Sequence, residues 1–375
     1  MNTRDELKKA KRVVVKVGTS TLTHPTGKLN LSRIEKLVRE LADLSNEGRE
    51  IILVTSGAVG AGMDRMGLKE KPACIPEKQA LAAVGQGILM HIYEKFFAEY
   101  GQTVAQVLLT RENSLRHNQY INSRNALCTL LSMGILPIIN ENDAIAVDEL
   151  KIGDNDTLSA TVATLVDADA LIILSDIEGV YTANPQKDPK AALISCIAEI
   201  TPEVEQLAGG AGSSLGTGGM YTKIQAAKIA VNAGVTMVIA SGQRQEVLRE
   251  ILHGSMMGTV FPAKESHLKV RKSWLAFGRS IAGDIIVDAG CARAMMEDGS
   301  SILAAGLLSA EGDFAEGNTI RVLTEDGREI ARGIVNYDVE SLRKIIGRQT
   351  AEFSQILVGK THKEVIHRDN MVLMV

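Results

Sequence analysis

Aromatic side chains are scarce in this chain: Phe, Tyr and Trp make up 3% of 375 residues, with a single Trp. The core must then be built from Ala, Val, Ile, Leu and Met, and few rings remain for stacking nucleobases. Excess charge of one sign is missing too. The 41 Lys and Arg stand against 45 Asp and Glu, a net charge of −4. No overall field draws in phosphate backbones or anionic membranes. Cys74, Cys128, Cys196 and Cys291 are the only cysteines, far apart and without a C-x-x-C pair. That spacing excludes a disulfide framework and implies reduced thiols. The seven histidines show neither H-E-x-x-H nor a Cys/His cluster, so no metal site is expected. No stretch approaches the ~18 apolar residues of a membrane span. The apolar run Val13–Val15 behind a charged N-terminus is too short for a secretory signal. The expectation is a soluble, cytoplasmic protein.

Familiar nucleotide signatures also fail. Val358-Gly359-Lys360-Thr361 looks like the end of a Walker A loop, but Ser354 stands where the first glycine is required. Gly60-Ala61-Gly62 runs on to Arg65, which breaks the dinucleotide fingerprint, and the protein-kinase motif set is absent.

What is present is an alternation. Arg12 to Val17 is a β-branched run ending at Gly18, a buried strand followed by a loop. Leu31, Ile34, Leu37, Val38, Leu41 and Leu44 recur at helical spacing up to the stop signal Gly48. Further strands are predicted over 50–56, 103–109, 135–140, 170–175 and 235–240. Helices are predicted from Pro76 to about Gly101 and over 113–133, 155–167 and 219–233. Strands apolar on both faces and alternating with helices imply an α/β fold, a mainly parallel sheet between two helical layers. Ligands bind beyond the carboxyl ends of such strands, and there the polar residues gather: Lys16 to Ser20, Ser56-Gly57, Asn140 to Asp143 and Ser175-Asp176. From Ile281 onward, short segments separated by Asp-Gly and Glu-Gly turns predict a small, mainly β module. The expected division is a catalytic domain over 1–265, a linker over 266–280, the β module over 281–360 and a tail over 361–375.

Three elements carry chemistry. Gly209 to Gly219 is a glycine-dense loop that runs directly into the helix start Met220-Tyr221-Thr222-Lys223. Such a loop brings backbone N–H groups close to phosphate oxygens, the helix terminus adds partial positive charge, and Lys223 adds a full one. Lys16 lies inside an apolar strand, where an unpaired ammonium is costly. Asp154-Asn155-Asp156 opens a helix; one cap would need one such residue, not three. Carboxylates beside a lysine-rich phosphate site can orient the lysines or bind Mg²⁺.

Lys16-Val17-Gly18-Thr19-Ser20, Ser56-Gly57-Ala58-Val59-Gly60, Asn140-Glu141-Asn142-Asp143, Gly153 to Ala160, Ser175-Asp176 and Gly216 to Lys223, in this order, resemble the glutamate 5-kinases of the amino-acid kinase superfamily. Ile285 to Gly290, Gly312-Asp313-Phe314, Glu329 to Gly333 and Asn336-Tyr337 resemble a PUA domain. Tyr221 and Ala305 depart from the usual pattern, at positions of little consequence. The resemblance implies that ATP, with Mg²⁺, is held by Lys16, Ser175, Asp176, Thr217, Gly218, Gly219, Met220, Tyr221, Thr222 and Lys223. It implies glutamate contacts at Ser56, Asp143 and Asn155. Lys16, Asp156 and Lys223 form the implied catalytic set, with Asp156 orienting the two lysines. It further implies proline as an inhibitor, glutamyl-phosphate reductase as a functional partner, and a homo-oligomer. RNA binding through the β module is disfavoured: residues 269–375 carry 14 Lys and Arg against 15 Asp and Glu.

Overall fold

A computed structural model describes residues 3–68, 70, 72–110, 117–145, 155–183, 185, 188–207, 219–264, 281–349, 352–357 and 362–374. The chain divides into two compact units, Met1–His267 and Leu268–Val375.

In the first unit the elements run α1 (Thr3–Lys9), β1 (Arg12–Val17), α2 (Thr19–Leu22), α3 (Leu31–Asn46), β2 (Glu50–Val54), α4 (Ala58–Met66), α5 (Ile75–Glu99) and β3 (Val104–Leu109). They continue α6 (His117–Ser132), β4 (Leu136–Glu141), α7 (Asn155–Leu165), β5 (Ala170–Ser175), α8 (Pro202–Leu207), α9 (Met220–Asn232), β6 (Thr236–Ser241), α10 (Val247–Leu252) and β7 (Thr259–Phe261). The seven strands form one sheet in the order β3-β4-β2-β1-β5-β6-β7. Every pairing is parallel except β6 with the short edge strand β7.

Helices cover both faces, which makes a three-layer sandwich. Leu37, Leu41, Leu89, Tyr93 and Leu248 of α3, α5 and α10 pack on one face with Val13, Val15 and Val17. Val162, Ile224 and Ala227 of α7 and α9 pack on the other with Val14 and Ile173. The helical spacing read for α3 is the buried stripe except at its first residue: Ile34, Leu37, Val38, Leu41 and Leu44 face the core, while Leu31 is exposed. Asn30 caps that helix, its side chain accepting from the Arg33 N–H at 3.1 Å.

The strand order locates a crevice. From β1 the chain moves outward on one side through β2, β3 and β4, then crosses to β5 on the other. β1 is therefore the switch point, and its carboxyl end is where a ligand site is expected.

One helix escapes the sequence pattern. α4 contains Gly60 and Gly62, poor helix formers, yet it is held against α5 backbone to backbone. A Cβ on Gly62 would stand 2.0 Å from the Leu81 carbonyl oxygen, and one on Gly85 would stand 1.8 Å from that of Ala58. No side chain fits at either position. Among the described residues no helix is long and apolar enough to cross a membrane.

The second unit is mainly β: β8 (Gly283–Val287), α11 (Ala289–Asp298), β9 (Leu307–Gly312), β10 (Thr319–Thr324), β11 (Glu329–Ile334), α12 (Val339–Ile345), α13 (Phe353–Ile356) and β12 (Met371–Leu373). Its sheet runs β12-β11-β10-β8-β9, with β8 and β10 parallel and the other neighbours antiparallel. Ile285, Val322, Ala331, Leu342 and Phe353 share its own core. The segment set apart as a tail supplies β12, which pairs with β11. Three residues are too short a run to be read as a strand from periodicity. The expected linker, 266–280, lies outside the described residues.

Candidate active site

Strand geometry aims the first functional group. Side chains alternate across β1, so Lys16 shares the face of Val14, toward α7 and α9 rather than toward α3 and α5. There it meets Asp156, the second residue of α7: Lys16 Nζ lies 2.5 Å from Asp156 Oδ1. Lys223, in the first turn of α9, lies 3.0 Å from Asp156 Oδ2. The Thr222 hydroxyl is 3.0 Å from the same oxygen and 2.7 Å from the Gly219 carbonyl. Three elements distant in sequence thus converge on one carboxylate.

This cluster is buried. The Lys16 and Lys223 side chains are 6% exposed and that of Asp156 is 0% exposed. Removing a charge from water costs several kcal/mol even after relaxation, so each member depends on the others. Burial alone would push the Asp156 carboxyl up. The neighbouring ammonium groups of Lys16 and Lys223 outweigh it and hold the carboxyl below the usual carboxylate range. An ammonium has three N–H donors, so one carboxylate cannot saturate two of them. Lys16 and Lys223 also line a cleft, where their positive charge suits anionic oxygen.

The cluster forms part of the wall of a cleft of about 440 Å³, a size that suits small ligands. Gly18, Thr19 and Ser20 line it beyond β1, and Ser56 and Gly57 beyond β2. Gly57 takes φ +104°, a conformation that favours glycine, and α4 starts directly after it. The first N–H groups of a helix have no partner within it. Ala58, Val59 and Gly60 also line the cleft, so the start of α4 offers an anion site. Asn155 reaches the Thr55 carbonyl and Ser56 Oγ, each at 2.8 Å. Glu141, the last residue of β4, and Asp143 beyond it also line the cleft. On the β5 side Ser175 and Asp176 close it, the Ser175 hydroxyl donating to Asp176 Oδ1 at 3.0 Å.

Lys16, Ser56, Asp143, Asn155, Ser175, Asp176 and Lys223, all singled out from the sequence, line this one cleft, with Asp156 beneath it. Gly219 precedes α9 as its N-cap, and Met220 packs against the core of the α7–α9 face. Tyr221 sits in the first turn of α9 outside the cleft lining. Thr217 and Gly218, with the glycine-rich loop from Gly209, lie outside the described residues, as does Asp154. The sequence reading missed Met63 and Glu141 in the lining. It also missed the contact of Asn140 with Gln86 on α5. Only the Asn140-to-Asp143 polar cluster hinted at it.

Comparison with known proteins agrees in both units. The sequence profile of the amino acid kinase family matches residues 11–241, and that of the PUA domain matches residues 283–357. Glutamate 5-kinase of Moorella thermoacetica is 54% identical, over 98% of this chain and 97% of its own length. Glutamate 5-kinase of Caldanaerobacter subterraneus is 52% identical, over 97% and 98%. Glutamate 5-kinase of Carboxydothermus hydrogenoformans is 51% identical, over 99% and 100%. With a parallel-sheet unit and a mainly β unit matched in order, the chain belongs to the amino acid kinase family, among its PUA-bearing glutamate 5-kinases.

Proposed function

We propose that this kinase transfers the terminal phosphoryl group of ATP to the γ-carboxylate of free L-glutamate, giving L-glutamyl 5-phosphate and ADP. The observation that carries this reading is the convergence of Lys16 and Lys223 on Asp156 beside a cleft that also presents Ser56, Asp143 and Asn155. A carboxylate is already ionised at neutral pH, so the acceptor needs no general base. What phosphoryl transfer demands is alignment and neutralisation of charge on the moving group. Lys16 and Lys223 supply the charge, and Asp156, which both contact, keeps the two ammonium groups aimed. Ser175, Asp176 and the segment from Thr217 to Lys223 hold the nucleotide. Mg²⁺ bound with ATP would add positive charge at the phosphates.

At the other end, Asp143 meets the α-ammonium of glutamate, and the start of α4 at Ser56-Gly57 receives the α-carboxylate. Proline carries the same pair, a carboxylate and an ammonium, and we infer that it competes there as an inhibitor. The acyl phosphate product hydrolyses readily, which favours prompt consumption by glutamyl-phosphate reductase in the cytoplasm, in the route to proline. Exposed Met66, Leu68, Ile75 and Val84 on and between α4 and α5 support a homo-oligomer.

The test is a hydroxylamine trap of acyl phosphate with Mg-ATP and, separately, glutamate, aspartate and N-acetylglutamate. Hydroxamate should form with glutamate alone. Equal signal from aspartate or N-acetylglutamate would refute the assignment of substrate.

A further inference from the structure

Asn155 enters the cleft with a fixed polarity. Its Nδ2 lies 2.8 Å from the Thr55 carbonyl oxygen, 2.8 Å from Ser56 Oγ and 3.0 Å from Asn140 Oδ1. A backbone carbonyl can only accept, so the atom facing Thr55 is the nitrogen. Its two N–H hydrogens are already spread over three protein acceptors, leaving none for a ligand. Asn155 Oδ1 is buried and has no hydrogen-bond partner among the described residues. A buried acceptor is costly when orphaned, so the site favours a ligand that brings a donor.

Asn140, at the end of β4 and 1% exposed, helps to hold that orientation. Its Oδ1 accepts the Glu141 N–H at 2.9 Å as well as the Asn155 amide. A backbone N–H can only donate, so the polarity of Asn140 is settled too. Its Nδ2 must donate elsewhere, and it donates to Gln86 Oε1 at 2.8 Å. Gln86 is 9% exposed on α5, one residue beyond the Gly85 that lets α4 and α5 touch. The relay therefore runs from the helix that seats α4 to an amide in the lining of the cleft.

We propose that Gln86 is a positioning residue: by holding the Asn140 amide it keeps Asn155 in place as the acceptor-only group that the Thr55 carbonyl makes it, and this placement makes the site demand a free ammonium on its acid substrate. Asp143, when ionised, is also acceptor-only and lines the same cleft. An acid lacking the amino group leaves the buried Asn155 Oδ1 unfilled, the situation in which polar sites discriminate most strongly. The inference rests on the glutamate reading above.

Two substitutions separate the relay from packing. Gln86→Met keeps the length of the side chain and removes the acceptor; Gln86→Glu keeps an acceptor oxygen. Gln86→Met should raise the KM for glutamate about tenfold, the scale of one lost buried hydrogen bond, with the KM for ATP within about twofold. The ratio of kcat/KM for glutamate to that for glutarate, its counterpart without the amino group, should fall by a similar factor. Gln86→Glu should restore both. In an Asn155→Ala background, Gln86→Met should add almost nothing, because its effect passes through Asn155. The proposal is overturned if both KM values rise together with an unchanged glutamate-to-glutarate ratio, or if the two substitutions multiply. A wild-type enzyme inert toward glutamate would instead sink the substrate reading. The relay would then stand or fall on the same ratio between the amino acid actually phosphorylated and its deaminated counterpart.

Discussion

Asp156 and Asp284 are both held by basic side chains, one in each unit, and they are held differently. Asp284 on β8 takes a two-pronged grip from Arg321, its register partner on β10, with both N···O distances 2.6 Å. That pair is partly open to water, Arg321 being 39% exposed. Asp156 takes single contacts from two lysines on separate elements, and water is shut out. The fork in the second unit satisfies itself: one guanidinium matches one carboxylate. The cluster in the first unit borders a cleft that both of its lysines line. Sheet architecture accounts for the difference. A parallel sheet brings all its carboxyl ends to one edge, so groups from β1, β2, β4 and β5 meet. In the second unit most neighbours are antiparallel, and successive strand ends point apart.

The contrast can be broken from its buried side with the largest effect. Asp156→Ala leaves two buried ammonium groups without their shared carboxylate and should cost about 3–5 kcal/mol of stability, read by denaturant unfolding, along with nearly all turnover. The pH dependence has a definite sign. The folded-state carboxyl titrates below its unfolded value, so its contribution is complete above the ordinary carboxylate range. It is lost as pH falls toward the lowered folded value. Asp156→Asn should flatten that acid-side loss of stability; an unchanged slope would mean that Asp156 is not the group responsible.

A middle-sized effect is expected at the α4–α5 contact. Gly85→Ala forces a Cβ to within 1.8 Å of the Ala58 carbonyl oxygen and should cost about 1–3 kcal/mol. It should also raise the KM for glutamate by shifting the start of α4. A variant neutral in both thermal melting and KM would show that this helix packing does not set the site. The smallest effect belongs to the second unit. Asp284→Asn should change stability by no more than about 1 kcal/mol and leave both KM values unchanged. A large kinetic effect there would mean that the second unit acts on the first.

The strands and the two lysines were legible because each broke or ended a pattern. Lys16 interrupts an apolar run, and Lys223 opens a helix behind glycines. The parallel sheet followed from Val- and Ile-rich runs between helical segments. Of α4 only the start after Ser56-Gly57 was expected, and its course was not legible, since glycine argues against a helix locally and the reason for Gly62 is a backbone on another helix. Gln86 and Asn140 were unreadable for a related reason: 54 positions separate two amides that meet only after α5 has docked. Local propensity and periodicity report on what a residue does to its own segment. Neither reports which side chain from elsewhere will arrive beside it.

The central claim is that two lysines act as one unit on the transferred phosphoryl group. It is tested most directly by single-turnover rates for Lys16→Met, Lys223→Met and the double variant, with glutamate affinity measured calorimetrically in each. Each single change should slow transfer by about 10²–10³-fold while glutamate affinity stays within a few-fold. The double variant should be little slower than the worse single one, as for residues that work together. Transfer within about tenfold of wild type in either single variant, a difference of only ~1.4 kcal/mol, would contradict the account.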